Sequence, residues 1–195
     1  HYQGSAYRVE GDWSGAAFHL VGAAIAGDVT ILDINLLSKQ ADIQILDALI
    51  LAGAHLTIEK NNIRVQKSAL KAFCFDATHC PDLFPALVTF AAFCEGVSTI
   101  SGVHRLKNKE SDRGVVLQKE FGKLGLKIEL IGDQMLIHGG TKLIPAEVDS
   151  HNDHRIAMCL AIVASKLEGE MTITQAEAVS KSYPSFWKDF DHLSE

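Results

Sequence analysis

Three long apolar stretches run along the chain, each opened by an aspartate and closed by a glycine. The opening residues are Asp12, Asp82 and Asp153, 70 and 71 positions apart. The closing residues are Gly27, Gly96 and Gly169, 69 and 73 apart, within the related phrases AGDVTI, EGVSTI and EGEMTI. An aspartate side chain accepts hydrogen bonds from the free N–H groups of a first helical turn, and glycine readily ends a helix. The pattern predicts a buried helix in each stretch and a strand in the β-branched residues after each glycine.

A second helix repeats as well. Ile45, Leu49, Ala52 and Gly53 correspond to Leu117, Phe121, Leu124 and Gly125 at a constant offset of 72. Each runs into two strands joined by a short turn, HLTIEK–NN–IRVQK (His55–Lys67) and LKIELI–GD–QMLIHG (Leu126–Gly139). The unit is therefore β-α-β-α-β-β and about 70 residues long, longer than common solenoid repeats. The three copies span residues 7–66, 68–138 and 141–195. The third stops after a helix predicted over Ser185–Leu193 and has no final strand pair, so its sheet is either truncated or completed from elsewhere. No Pro- or Ser-rich linker separates the copies, which predicts one α/β (α+β) domain over residues 1–195.

Composition narrows the function classes. Of 195 residues, 47% are apolar and 22% charged, an ordinary globular balance. A chain of this size buries roughly 70% of its unfolded surface and needs neither disulfide nor metal to fold. The 18 basic and 24 acidic side chains give a net charge of −6, which argues against a nucleic-acid or membrane-surface binder. No apolar run approaches the roughly 18 residues of a membrane span, and no signal peptide opens the chain. The expected location is the cytoplasm. The first residue is His1 rather than Met, which suggests a piece of a longer protein. Cys74, Cys80, Cys94 and Cys159 lie in or beside apolar segments without C-x-x-C spacing, and are expected to be reduced, buried thiols. Phe73, Phe75, Phe84, Phe90 and Phe93 are expected in the core.

A repeat is its own control, because features shared by the copies are scaffold and features of one copy are candidates for chemistry. The second helix of copy two is expected to open with Lys107–Arg113. There Lys109, Glu110 and Arg113 stand where copy one has Leu37, Ser38 and Ala41. Copy three has Lys181 near the equivalent place, and its first helix opens with His151–Arg155. Arg155 in a first turn opposes the helix dipole by about 0.3–1 kcal/mol if exposed. An anion held between that arginine and the helix N-terminus would remove the conflict, since both suit phosphate and carboxylate. The bland alternatives are a solvated helix start with weak i,i+3 pairs over residues 109–113, and plain N-caps at Asp12, Asp82 and Asp153. His151 and His154 have no third ligand at helpful spacing, so no metal site is expected.

These same segments carry a family resemblance. CPD…EG…KNKESDR (Cys80–Arg113), NDHRIAM (Asn152–Met158), KSYPSFW (Lys181–Trp187) and EGDWSGAAFHL (Glu10–Leu20) resemble the C-terminal part of the EPSP synthase family, the 3-phosphoshikimate 1-carboxyvinyltransferases. The likeness runs in order along essentially the whole chain, and KESDR and NDHRIAM are its most specific phrases. It implies an enolpyruvyl-transferase-like domain of three β-α-β-α-β-β repeats around parallel buried helices, with helix N-termini facing an interdomain cleft. It also implies that the family's N-terminal segment completes this domain and that the second domain is absent here.

The reaction implied joins phosphoenolpyruvate to the 5-hydroxyl of shikimate 3-phosphate and releases inorganic phosphate, with no metal or organic cofactor. Two anions must be held together, which needs several cations, and protons must leave the hydroxyl and reach the methylene carbon. By motif, Asp82 would bond the 5-hydroxyl and act as base, and Glu110 would shuttle the proton at the methylene carbon. Lys109 and Arg105 (or His104 beside it) would contact the shikimate substrate. Arg113, Arg155 and Lys181 would hold phosphoenolpyruvate. The expected partners are these two substrates and the missing domain of the same chain, which is expected to be a monomer when complete. This portion alone is expected to be inactive. Two rival readings share the fold: an enolpyruvyl transferase acting on UDP-N-acetylglucosamine, and a non-catalytic anion-binding domain.

Overall fold

The computed structural model describes residues 3–4 and 6–194, with side chains described as far as residue 191. In the first unit, α1 (Trp13–Ala26) is followed by β1 (Asp28–Ile31), α2 (Ile45–Leu51), β2 (His55–Glu59) and β3 (Asn62–Gln66). The second unit holds β4 (Cys74–Asp76), α3 (Phe84–Ala92), β5 (Gly96–Ser101), α4 (Arg113–Lys123), β6 (Lys127–Ile131) and β7 (Gln134–Gly139). The third holds β8 (Glu147–Asp149), α5 (His154–Ala164), β9 (Thr172–Thr174) and α6 (Phe186–Ser194).

The repeat read from the pattern is visible in the sheets. β1-β3-β2 and β5-β7-β6 have the same antiparallel order, because each is a strand joined to a hairpin whose second arm sits in the middle. β4 extends the second sheet by a parallel pairing with β5, and β8 pairs in parallel with β9. The third unit has only that strand pair among the described residues, as its missing final hairpin predicted.

Two expectations about the elements are corrected. The first unit has no opening strand. Residues 6–12 run irregularly, with Tyr7 84% and Val9 80% exposed, so no apolar face holds a strand against β1. Side chains tether the segment instead. Glu10 accepts from Asn35 Nδ2 (2.6 Å), Ser38 Oγ (2.7 Å) and Gln40 Nε2 (3.0 Å), and Arg8 pairs with Asp33. Cys74 is exposed rather than buried, because strand alternation turns it outward while Phe73 and Phe75 turn inward.

The core is built on α1, α3 and α5, which touch one another pairwise. Thr89 Oγ1 on α3 donates to the Cys159 carbonyl on α5 (3.3 Å), and Gly22 on α1 lies against Ile162 on α5. Arg113 bonds both Asp82 and Asp153 at the starts of α3 and α5, and Ser14 at the start of α1 bonds Asp42, which feels the charges of Arg155, Asp82 and Asp12, so the three starts lie together and the helices run in the same sense. Thr89, Cys159 and nearly every apolar side chain of the three are buried in one hydrophobic cluster. At the far end, β7 passes so close to the end of α3 that a Cβ on Gly139 would overlap the carbonyl oxygens of Ala91 and Cys94. Only glycine permits that approach.

Candidate active site

Because the three helices are parallel, their N-termini meet at one end of the domain. Asp12 caps α1, accepting from the Ser14 N–H (3.1 Å) and the Gly15 N–H (2.9 Å). Asp153 caps α5, accepting from the Arg155 N–H (3.0 Å). Asp82 does not cap, contrary to the repeat pattern. It lies inside a 3-10 turn (Pro81–Leu83) that precedes α3, and its carboxylate makes no capping bond. The side chain turns to cations instead.

Asp82 Oδ1 accepts from Lys109 Nζ (2.9 Å) and Arg113 Nη1 (2.7 Å), while Oδ2 lies 3.4 Å from Arg155 Nη2. Burial alone pushes the Asp82 carboxyl up, but Arg155, Lys109 and Arg113 outweigh it and hold the pKa at about 2. Asp82 is therefore an ionised carboxylate among three cations, drawn from α4, the loop before it and α5.

Arg113 is the hub of this cluster. It is the first residue of α4 and has no exposed surface. Its Nε donates to Asp153 Oδ2 (2.7 Å), Nη1 to Asp82, and Nη2 to Glu110 and to Asp153 Oδ1 (3.3 Å). Burial lowers the guanidinium pKa, but Asp153, Glu110 and Asp82 more than restore it. The solvated-helix reading of residues 109–113 is overturned for Arg113. The start of that helix is also corrected: residues 107–112 form turns and bends, with Asp112 as N-cap and α4 beginning at Arg113. The loop frees Lys109 and Glu110 to face Asp82 and Arg113 rather than to lie along a helix.

The other predicted residues surround this hub. Glu110 is partly exposed at the rim, bound to Arg113 by one oxygen, with the other 3.8 Å from His154 Nδ1. Arg155 is mostly buried, yet its Nε has no partner among the described residues. Lys181 is exposed and donates to the Asn152 carbonyl (2.6 Å), immediately before the cap of α5. Arg105 stands apart from the charged cluster. It is exposed and donates to the Thr78 carbonyl (2.7 Å), while its neighbour His104 is bound to Asp133 (2.8 Å).

Three participants exceed the sequence reading. Asp153 is both a cap and the buried counter-charge of Arg113, a double role its N-cap position concealed. His154, weighed only as a metal ligand, is buried with an unpartnered Nδ1 beside Glu110. Burial, then Arg155, pushes its pKa below the ordinary histidine value, so it is neutral here. Asp42 is buried and bonded to Ser14, and burial raises its pKa despite that bond. Nothing in the sequence singled out Asp42, which stands among Gln40, Gln44 and Asp47. Among the described residues, no group of three or more His, Cys, Asp or Glu side chains is arranged to hold a metal ion.

A partly open guanidinium, two lysines and two carboxylates at convergent helix N-termini suit an anionic ligand. Comparison with known proteins points the same way. The family profile of EPSP synthase (3-phosphoshikimate 1-carboxyvinyltransferase) matches residues 1–190. The chain belongs to the EPSP synthase family. It is 43% identical over 191 residues to the 3-phosphoshikimate 1-carboxyvinyltransferase of Clostridium acetobutylicum, covering 98% of this chain and 44% of that protein. The enzyme of the same name from Clostridium novyi is 40% identical over 187 residues, covering 96% and 43%. In three dimensions the chain is similar to EPSP synthase from Acinetobacter baumannii, with a TM-score of 0.84 and 29% identity over 92% of this chain and 45% of that one. The chain thus spans a little under half the length of these EPSP synthases. Among the described residues no helix is long and apolar enough to cross a membrane.

Proposed function

We propose that the protein carrying this chain transfers the enolpyruvyl group of phosphoenolpyruvate to the 5-hydroxyl of shikimate 3-phosphate, releasing phosphate, and that this chain is one of its two domains. The observation that carries the reading is the Asp82–Lys109–Arg113–Arg155 cluster at the convergent helix ends, with Lys181 and Glu110 at its rim.

In this reading Arg155 and Lys181 take the phosphate and carboxylate of phosphoenolpyruvate, because Lys181 is exposed at the rim and the mostly buried Arg155 has an Nε with no partner among the described residues. Arg113 is enclosed by carboxylates, so an anion reaching it takes over a position that Glu110 or Asp82 now fills. Lys109 and Arg105 face the shikimate substrate.

A carboxyl held at about 2 is a weak base. Anionic substrates that draw Lys109 and Arg155 toward themselves would raise the pKa of Asp82 and so equip it to accept the hydroxyl proton. Glu110 would exchange the proton with the methylene carbon, a role supported by its position at the open rim, 3.8 Å from His154 Nδ1. Two polyanions could not share such a site without these cations, and holding the reactants together lowers the barrier of an otherwise bimolecular step.

The test is phosphate release by the full-length protein given phosphoenolpyruvate with either shikimate 3-phosphate or UDP-N-acetylglucosamine. Release with the shikimate substrate alone is expected. Release with the nucleotide sugar would transfer the reading to that acceptor, and release with neither, from folded protein, would leave an anion-binding domain. The isolated 195-residue chain is expected to be inactive, because a two-substrate cleft needs both of its walls.

A further inference from the structure

Glu120 is a buried carboxylate that the reaction does not use. It lies seven residues after Arg113, two turns along the same face of α4, and has no exposed surface. A charge in that position is costly unless donors surround it, and they do. Oε2 accepts from the Asp149 N–H (2.9 Å) and Lys123 Nζ (2.6 Å). Oε1 accepts from His151 Nε2 (2.9 Å), with Lys119 Nζ at 3.5 Å. Burial pushes the Glu120 carboxyl up, but Lys123, His151 and the Asp149 N–H together hold its pKa at about 2.

Two of these partners, Lys119 and Lys123, share α4 with it; the other two, Asp149 at the end of β8 and His151 in the loop before α5, belong to the third unit. His151 and Asn152 there adopt consecutive left-handed conformations, with φ of +52° and +56°. Residues with a Cβ disfavour that region, so a pair of them persists only when its surroundings impose it. Within the loop, Asp149 Oδ1 accepts from the His151 N–H (2.8 Å) and Ser150 Oγ from the Asn152 N–H (3.1 Å). Glu120 adds the anchor from outside, at both the backbone of Asp149 and the side chain of His151. The residues that follow are Asn152, whose carbonyl receives Lys181, then Asp153 and Arg155. Helix α4 thus grips this loop twice, through Arg113 on Asp153 and through Glu120 on residues 149–151.

We propose that Glu120 is a positioning residue that sets the aim of Arg155 and Lys181, and so the affinity for the anionic substrate they hold. The inference rests on the function proposed above. It predicts the larger effect on one substrate, because Lys109 and Arg105 bond Asp82 and Thr78, which Glu120 does not touch, and Arg155 meets Asp82 at its other oxygen, 3.4 Å away.

The test uses the full-length protein and two variants. Glu120→Gln keeps the shape but loses the charge. His151→Asn keeps a residue that tolerates the left-handed conformation but is too short to reach Glu120. In both, KM for phosphoenolpyruvate should rise about tenfold, the scale of a charged contact pulled out of line. KM for shikimate 3-phosphate and kcat should stay within about twofold. Unchanged constants in folded variants would overturn the inference. So would a loss that falls equally on both substrates in step with a lower unfolding temperature, since that marks a purely structural role. If Glu120→Gln does not fold, His151→Asn decides alone, because His151 is only partly buried. Failure of the wild-type protein to turn over would remove the function reading, and this inference with it.

Discussion

The first and second units carry the same frame with different fastenings. In the first, the loop before α2 is tied by neutral amides and hydroxyls. Gln40 accepts from the Trp13 N–H (2.9 Å) and donates to Glu10 and the Gly11 carbonyl, and Ser38 and Asn35 also donate to Glu10. In the second, the loop before α4 is tied by a buried guanidinium among three carboxylates. These neutral donors satisfy the single carboxylate of Glu10 and bring no cation with them. The ionic cluster is unsaturated: among the described residues the buried Arg155 Nε has no partner, and Lys181 donates to a backbone carbonyl. A fold that repeats a unit can tie one copy with neutral donors and gather a charged cluster in another by changing the loop before the second helix and the turn before the first.

The largest break in this comparison is Arg113→Ala. Removing the buried cation leaves the buried Asp153 carboxylate without its counter-charge and should cost about 3–5 kcal/mol of stability, read by denaturant unfolding. The matched change in the first unit, Gln40→Ala, should cost about 1 kcal/mol. Equal costs would mean that the ionic hub carries no special weight.

A smaller effect separates the helix starts. Asp12→Ala should cost about 1 kcal/mol by removing a true N-cap. Asp82→Asn should leave the start of α3 unaffected and act through the cations, and amide exchange of the first turns of α1 and α3 distinguishes the two.

The smallest effect is in pH. Asp82 is held at about 2, below the ordinary range near 4 of an unfolded aspartate. A depressed carboxyl contributes stability that is fully present above the unfolded pKa and is lost as pH falls through the folded one. The unfolding midpoint should therefore drop between about pH 4 and 2, and the slope should be shallower in Asp82→Asn. An identical slope would show that Asp82 is not held by its cations in solution.

Much of this architecture was legible in the chain. The constant spacing of Asp12, Asp82 and Asp153 and of the three glycines marked the repeat, because a repeated backbone needs the same punctuation at the same places. The missing third hairpin was legible for the same reason. The missing first strand was not, because Tyr7 and Val9 have strand-like character and only the absence of anything for them to pack against excludes it. Cys74 sits in an apolar neighbourhood, yet strand alternation in β4, which a three-residue strand barely reveals in sequence, turns it outward.

The site divides in the same way. Sequence marked Lys109, Glu110, Arg113, Arg155 and Lys181 as charges that one repeat has and another lacks, since a repeat exposes its own exceptions. It could not tell which of three similar aspartates would abandon its cap. Asp82 does so because a 3-10 turn puts it inside the helix start rather than before it, within reach of cations from α4 and α5. Nor could it foresee that Arg113 would be wholly buried, or that Glu120 would reach the β8–α5 loop. Charge identity and periodicity are local and are written along the chain. Which charges meet, and which donor is left over, depends on helices 40 or 73 residues apart arriving side by side. Only the folded packing of α1, α3, α4 and α5 decides that.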